Sequence, residues 1–197
     1  MLVIATDYLH SLNSFNMRAS ILLFTFLLTI TVTFAQYPEN ITTIDCNPNG
    51  LTTFSGNLSK GAIIKDLRWA SNSSVACFPA TQNTKFTGHH VLHTFDLPPY
   101  ANVEITVTPK DPTLNLSIYA YQQGKTSFYL PPNLFRCVSC EADHKWDYPK
   151  RGKTQDHSRT VKLNSIRNPY NVVVGVVGAD GLSNGDYTLS IKMESKY

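Results

Sequence analysis

Two cysteines, Cys137 and Cys140, stand with two residues between them and form the most conspicuous short motif of this sequence. Thiols at this spacing suit a redox dithiol, or half of a zinc site completed by His144 and His157. A redox dithiol needs its first cysteine at a helix N-terminus, which lowers the thiol pKa, and no helix is predicted here. The two histidines are thirteen residues apart, and a zinc site wants a closer, matching second pair of ligands. The spacing therefore favours a structural disulfide within a tight turn.

Two further cysteines, Cys46 and Cys77, make the total four, which allows three connectivities. An even number of cysteines in an exported protein favours disulfides over free thiols. We predict the bonds Cys137–Cys140 and Cys46–Cys77, and no free thiol. The second bond would tie the N-terminal part of the chain to the folded domain.

Three histidines, His89, His90 and His93, resemble a metal cluster by their proximity alone. On a β-strand His89 and His93 share a face but lie about 13 Å apart, because each residue advances the strand by ~3.3 Å. His90 points to the opposite face, so the three cannot chelate one ion unaided. They are interpreted as polar strand positions, and no metal or other cofactor is predicted.

Other catalytic and ligand-binding patterns are weak or missing. The segment 180–186 resembles a calcium loop, but Leu182 stands where an oxygen ligand is needed, so we expect a plain hairpin turn there. The segment Gly181-Leu-Ser-Asn-Gly185 matches Gly-x-Ser-x-Gly in its letters, but a nucleophile elbow needs a helix directly after the serine turn, and a strand is predicted there. The chain has no His-Glu-x-x-His pair. We therefore predict no enzyme, while an active site assembled from distant residues stays an alternative.

The segment 141–159 is the longest polar stretch between predicted strands, and long surface loops are often functional. Aromatic faces stack on sugars and cations, and lysine and arginine attract carboxylate or sulfate groups. A solvated loop without a partner is the alternative, whereas Trp69, in an apolar context, is expected in the core. The candidate binding residues of the loop are Trp146, Tyr148, Lys150, Arg151 and Lys153.

The N-terminal stretch has the order of a signal peptide. Arg18 precedes an uncharged apolar run over residues 21–34, which closes on Ala35. The run is shorter than the roughly 20 apolar residues that span a membrane, so cleavage before Gln36 is favoured over anchoring. Residues 1–16 lie before a second methionine, Met17, and are interpreted as an upstream extension or a longer n-region.

Removing residues 1–35 from the 197 leaves 162, which suits one domain. A net charge of +3 is too small to argue for nucleic acid. We expect residues 36–50 to form a polar leader and residues 51–197 a single domain of a secreted, extracellular protein that does not contact a membrane after cleavage. Four sequons, which matter only in a eukaryotic host, begin at Asn40, Asn57, Asn72 and Asn115.

The domain repeats short β-branched and aromatic segments between Gly, Pro and Asn, a pattern typical of a β-sandwich. Val103, Ile105 and Val107 alternate with polar residues, as in a half-solvated antiparallel strand, and the apolar run 172–177 indicates a central strand. The predicted strands are Leu51–Leu58, Ala62–Trp69, His89–Leu97, Asn102–Thr108, Leu114–Gln122, Thr160–Leu163, Tyr170–Val177 and Asp186–Met193.

Residues 88–193 carry a family resemblance. The segments 95–99, 115–119 and 170–177, together with the closing Gly185-Asp-Tyr-Thr-Leu-Ser-Ile191, resemble the bacterial pre-peptidase C-terminal (PPC) domain. The resemblance implies an antiparallel, jelly-roll-like β-sandwich of the kind appended to secreted hydrolases, without catalytic activity of its own. The family often has Asp-Leu-Asp-Leu-Tyr where this chain has Asn115-Leu-Ser-Ile-Tyr119, so an acidic, cation-linked role is not carried over.

These observations together predict a secreted, non-catalytic binding or accessory module that contacts matrix, polysaccharide or another extracellular protein. A small secreted hydrolase with an unrecognised site is the second hypothesis. A structural component of an envelope or matrix is the third.

Overall fold

The structure is a computed structural model that describes residues 41–126 and 128–196. All of these residues belong to one unit of the chain, Gln36–Tyr197. The predicted signal peptide, its cleavage site and the sequon at Asn40 lie outside the described residues. Within the described ranges, no helix has both the length and the apolar character needed to cross a membrane.

The described backbone forms ten β-strands and three short 3₁₀ helices. The strands are β1 (Ile41–Thr43), β2 (Asn49–Asn57), β3 (Ala62–Ile63), β4 (His89–Leu97), β5 (Ala101–Pro109), β6 (Leu116–Gly124), β7 (Ser139–Asp143), β8 (Arg159–Asn164), β9 (Tyr170–Gly178) and β10 (Asp186–Ser195). The helices are Leu58–Lys60, Arg68–Ser71 and Ala80–Phe86.

The strands form two sheets. Sheet A has the order β1-β4-β9-β6-β7, with β3 also paired to β4, and sheet B has the order β2-β10-β5-β8. Neighbouring strands are antiparallel except β1 and β4, which run parallel. The inner faces of the two sheets share one apolar core, in which Phe95 and Val174 of sheet A meet Ile105 and Leu189 of sheet B. The predicted all-β sandwich is confirmed.

Strand β5 shows how the sequence pattern places side chains. Val103, Ile105 and Val107 are buried in the core, whereas Glu104 and Thr106 lie on the outer face of sheet B. A period of two fits a strand with one wet face, as the sequence indicated. Strand β9 is central in sheet A, between β4 and β6, and its last seven residues are buried.

The outer face of sheet A is covered by a layer that the sequence analysis did not predict. This outer layer, residues 64–86, buries seven apolar side chains against Leu92, Tyr119, Tyr121 and Val177 of the sheet. The predicted core position of Trp69 is confirmed, since its indole packs on both tyrosine rings at centroid distances of 5.7 and 5.6 Å. Sheet A is therefore covered on both faces, which explains why β6 is buried along almost its whole length.

Two predicted elements have other bounds in the structure, and one strand was not predicted. Residues 41–43 belong to strand β1 and Ile44 is buried in the core, so the described part of the expected leader, residues 41–50, is part of the sandwich. The predicted strand Ala62–Trp69 is only two residues long, because Asp66 turns the chain by accepting the Arg68 backbone N–H. Strand β7, which the sequence pattern did not indicate, forms an edge of sheet A with one neighbour.

Two glycines allow buried tyrosine rings to lie across neighbouring strands. Gly175 stands opposite Tyr119, and a Cβ at that glycine would lie 2.1 Å from the Tyr119 Cζ. Gly56 stands opposite Tyr187, and a Cβ at Gly56 would lie 2.4 Å from the Tyr187 Cζ. A ring that covers a glycine fills the space that a side chain at that position would otherwise occupy.

Candidate functional site

The segment 141–159, predicted as one surface loop, is shorter in the structure. Residues 141–143 belong to β7 and Arg159 begins β8, so the loop itself runs over residues 144–158. We call this segment the β7–β8 loop. It connects an edge strand of sheet A to an edge strand of sheet B, which places it at the open side of the sandwich.

The first half of the β7–β8 loop rests on the outer layer. The Asp147 carboxylate pairs with Lys85 Nζ at 2.9 Å and accepts a hydrogen bond from Gln82 Nε2 at 3.1 Å. These two bonds lower the pKa of Asp147. The His144 ring meets the Phe86 ring edge-on at a centroid distance of 5.9 Å. The last 3₁₀ helix of the outer layer thus serves as a platform for the loop.

The second half of the β7–β8 loop is held by Arg159, whose side chain is buried. Its Nη1 donates to the carbonyl oxygens of Asp156 at 2.6 Å and Ser158 at 2.7 Å. Burial lowers the pKa of this guanidinium, and the nearby acids Asp143 and Asp156 oppose the shift. Arg159 is therefore a structural clamp on the end of the loop, where a ligand cannot reach it.

The tip of the loop presents the candidate binding residues. Lys150 Nζ lies 4.3 Å from the centroid of the half-buried Trp146 ring, a cation–π contact. Tyr148 is 83% exposed, the highest value among the exposed large hydrophobic side chains of the described residues. Arg151 and Lys153 are also exposed, and no described carboxylate pairs with either of them or with Lys150.

The backbone fixes the spacing of these cations. The Lys153 N–H donates to the Lys150 carbonyl at 3.1 Å, and Gly152 adopts a φ of +69° in this turn. A side chain at that position would be strained, which explains the glycine. Of the five residues that the sequence singled out, Lys150 and Trp146 are in contact, and Tyr148, Arg151 and Lys153 are exposed on the same loop.

Two shallow depressions of the described surface, of about 480 and 540 Å³, lie away from the β7–β8 loop, and neither is lined by residues of the loop. The first lies on the outer face of sheet B, where Lys162 pairs with Glu104 and Lys192 with Glu194. These mutually paired charges are what a solvated sheet face requires.

His90 projects from β4 into the outer layer and is completely buried. Its Nε2 donates to the Phe86 carbonyl at 2.9 Å, so its Nδ1 accepts from the Tyr119 hydroxyl at 3.1 Å. Burial lowers the pKa of His90 to about 4. His90 is thus a polar position of a strand, as predicted, but both of its ring nitrogens form hydrogen bonds inside the protein.

His93 projects from the opposite face of β4 into the core between the sheets. Its Nε2 is hydrogen-bonded to the Tyr187 hydroxyl of sheet B at 2.8 Å. Within the described ranges, the buried Nδ1 has no hydrogen-bond partner. Burial lowers the pKa of His93 to about 4 as well. Neither buried histidine can act on a molecule that approaches from solvent.

The four cysteines are all unbonded in the structure, and neither predicted pair is formed. The pairing Cys46–Cys77 is not confirmed: Cys46 packs on the core between the sheets, whereas Cys77 packs on the outer-layer cluster. Cys77 instead lies within 2.9 Å of Cys140. Cys137 is on the same side and contacts Cys140, but no bond joins them.

The segment 180–186 is also different from the expected hairpin. It connects β9 of sheet A to β10 of sheet B, so the two strands that flank it are not paired. Asp180 and Gly181 have φ values of +52° and +81°, and the Leu182 N–H donates to the Ala179 carbonyl at 3.0 Å. In the part of the chain that the structure describes, no group of three or more histidine, cysteine, aspartate or glutamate side chains is placed to hold a metal ion.

Three sequon asparagines lie in the described ranges. Asn57 donates to Asp186 at 2.8 Å and its Oδ1 caps the Ser59 N–H, and Asn115 accepts from Arg159 at 3.4 Å. Asn72 is exposed.

Comparison with known proteins finds structures but no sequence relatives. No family model and no curated protein matches the sequence. The chain is similar to a pre-peptidase C-terminal domain. That structure, from a collagenase of Bacillus anthracis, shares 15% identity and a TM-score of 0.36, and the match covers 80% of this chain and 98% of that one.

Two further solved structures are similar at the same level. One is a periplasmic inhibitor of g-type lysozyme from Aeromonas hydrophila, with 4% identity, a TM-score of 0.40 and coverage of 78% of this chain and 96% of that one. The other is a surface-associated copper-binding protein of Methylomicrobium album BG8, with 12% identity, a TM-score of 0.42 and coverage of 79% and 98%. We transfer no ligand or activity from these proteins.

Proposed function

We propose that the protein is an exported, non-catalytic binding module whose β7–β8 loop engages anionic polysaccharide outside the cell. One observation carries the proposal: the loop tip exposes the cations Lys150, Arg151 and Lys153 and the ring of Tyr148, and Lys150 contacts the ring of Trp146. Sugar rings stack on aromatic faces, and carboxylate or sulfate groups accept hydrogen bonds from lysine and arginine. A polymer that carries both sugar rings and anionic groups can contact both the aromatic rings and the cations of the loop tip.

The charge distribution of the loop supports an anionic partner. Residues 144–158 contain four lysines and arginines against two aspartates. Asp147 is already paired with Lys85, and Asp156 caps the Ser158 N–H. The cations at the tip are therefore not neutralised within the described residues. Because these charges are exposed, their attraction for a polyanion is weakened by salt.

A matched pair of polymers tests the binding class. We expect the purified protein to bind dextran sulfate, with an affinity that falls as salt is raised, and not to bind neutral dextran. Triple substitution of Trp146, Lys150 and Arg151 by alanine should weaken binding about tenfold or more, since a loss of 1.4 kcal/mol is a factor of ten. Replacing the exposed lysines Lys60 and Lys65 by alanine is the charge-matched control.

Unchanged binding by the triple variant would exclude the loop as the site, provided that its circular dichroism and melting temperature match those of the parent. Binding to neither polymer would exclude the anionic polysaccharide. A screen of extracellular proteins then tests the second class of partner. Exported protein that begins at Gln36 by N-terminal mass spectrometry supports the export part of the proposal, and retention of residues 18–34 contradicts it.

A further inference from the structure

Three cysteines lie close together where the outer layer meets strand β7, although Cys77 precedes Cys137 by 60 residues and Cys140 by 63. Cys77 lies 2.9 Å from Cys140. The backbone N–H of Cys77 donates to the Ala70 carbonyl at 2.9 Å within the outer layer. Cys140 Sγ donates to the Ala76 carbonyl at 3.1 Å, and Cys137 Sγ lies 3.7 Å from the Ser74 carbonyl. Strand β7 and the residues directly before it thus hold two thiols against one segment of the outer layer.

We propose that oxidation joins Cys77 to Cys140, ties the outer layer to the edge strand β7, and leaves Cys137 as the neighbouring thiol that can exchange with this bond. The proposal does not depend on the binding function of the β7–β8 loop. It replaces both pairings that the sequence predicted and leaves Cys46, on the other side of sheet A, outside the bond.

The Cys77–Cys140 bond would join two elements that few other interactions hold in place, the outer layer and strand β7. Apart from the pairing of β3 with β4, the outer layer is held to sheet A by side-chain packing and single hydrogen bonds, such as that from the Tyr121 hydroxyl to the Val75 carbonyl at 3.0 Å. Strand β7 has a partner on one edge only. A covalent link joins these two weakly held elements and removes freedom from the unfolded chain over a long loop. All three thiols are half-buried, so a small oxidant can reach them.

The reaction needs an oxidant, which we name as a low-molecular-weight disulfide such as oxidised glutathione. One protein thiolate attacks the disulfide, forms a mixed disulfide and releases one thiolate of the small molecule. The second protein thiolate then attacks the protein sulfur of the mixed disulfide, forms the Cys77–Cys140 bond and releases the second small thiolate. The protein loses two electrons and two protons, and the small disulfide becomes two thiols.

The thiol environment makes this reaction slow at neutral pH. The hydrogen bond with the Cys137 thiol lowers the pKa of the Cys140 thiol. The contact with Cys77 and burial have the opposite effect and are stronger, so the pKa of Cys140 is raised to about 12. Since the thiolate is the attacking species, the rate of oxidation should rise as the pH is raised. An exported chain meets the oxidising conditions under which such a bond persists.

Peptide mapping of the purified protein identifies the bond. The protein is reduced, exposed to oxidised glutathione, blocked with iodoacetamide and digested with trypsin without reduction. Residues 69–85 then carry Cys77, and residues 137–145 carry both Cys137 and Cys140. We expect these two peptides to be joined. The joined pair should persist in Cys137→Ser and in the control Cys46→Ser, and disappear in Cys140→Ser.

Two results would overturn the proposal. Peptide 137–145 alone, two hydrogens lighter, would show the Cys137–Cys140 bond instead, and complete alkylation of every thiol would show that no bond forms. A second measurement covers variants that fold poorly: the oxidised parent should melt about 5–15 °C above its reduced form. That difference should be retained in Cys46→Ser, and an identical melting temperature for both forms of the parent counts against the bond.

Discussion

His93 and Tyr187 connect the two sheets through a hydrogen bond of 2.8 Å between the histidine Nε2 and the tyrosine hydroxyl. His93 comes from β4 of sheet A and Tyr187 from β10 of sheet B, and both are buried. The Phe54 ring packs edge-on against the imidazole at 5.0 Å. A polar pair inside an apolar core specifies how the sheets align, because any shift leaves two polar groups without partners.

Removal of the Tyr187 hydroxyl tests this connection. The variant Tyr187→Phe keeps the ring over Gly56 but leaves the second ring nitrogen of His93 without a partner. We expect the free energy of unfolding to fall by about 1–3 kcal/mol. Urea denaturation measures the change, and His93→Phe combined with Tyr187→Phe should recover part of it. A single variant as stable as the parent would contradict the role of the pair.

The buried histidines should make the protein sensitive to acid. The pKa values of His90 and His93 are lowered from 6.5 to about 4, so between those values the unfolded chain binds more protons than the folded one. Their contribution to stability is complete above about pH 6.5 and is lost as the pH falls towards 4. Each histidine contributes up to about 1.4 kcal/mol per pH unit in that window.

Urea midpoints measured between about pH 4 and 7 check this expectation. The variant His93→Phe should reduce the slope of stability against pH by the share of one histidine. His144→Gln, which removes a histidine of the β7–β8 loop, is the matched control. An equal slope for parent and His93→Phe would show that this imidazole does not titrate as the structure indicates.

The tyrosine that covers Gly175 makes that glycine intolerant of a side chain. In Gly175→Ala the new methyl group would lie 2.1 Å from the Tyr119 ring, so the ring must move within a packed cluster. We expect a loss of about 2–4 kcal/mol in the free energy of unfolding. Gly124→Ala, where a Cβ would meet nothing within 4 Å, is the control. Similar costs for both variants would refute the explanation.

The contact between Asp147 and the outer layer should order the β7–β8 loop without adding measurably to global stability. In Asp147→Asn the ion pair with Lys85 is lost on the surface, where such pairs contribute little. We expect faster amide hydrogen exchange over residues 144–158 and an unchanged melting temperature. Asp66→Asn, which breaks the exposed pair with Arg68, should leave exchange in the loop as it was.

Local patterns in the sequence predicted much of the sheet framework. The alternation of Val103, Ile105 and Val107 identified a strand with one wet face, because side chains on a strand alternate with a period of two. The apolar run 172–177 identified the central strand β9, which has neighbours on both edges and layers on both faces. The five residues proposed for binding were found by their types within one polar segment, and their role in binding stays a prediction.

Only the tertiary structure decided which distant residues meet. Strands β1 and β7 are short and partly exposed, so no apolar period marks them, and each exists because a neighbouring strand offers its edge. His90 and His93 look alike in the sequence, but one bonds into the outer layer and the other into the core. Cys140 lies near Cys137 along the chain and near Cys77 in space, because the outer layer folds back over sheet A. Spacing along a chain carries no information about such returns, which are set by the burial of apolar side chains across the whole domain.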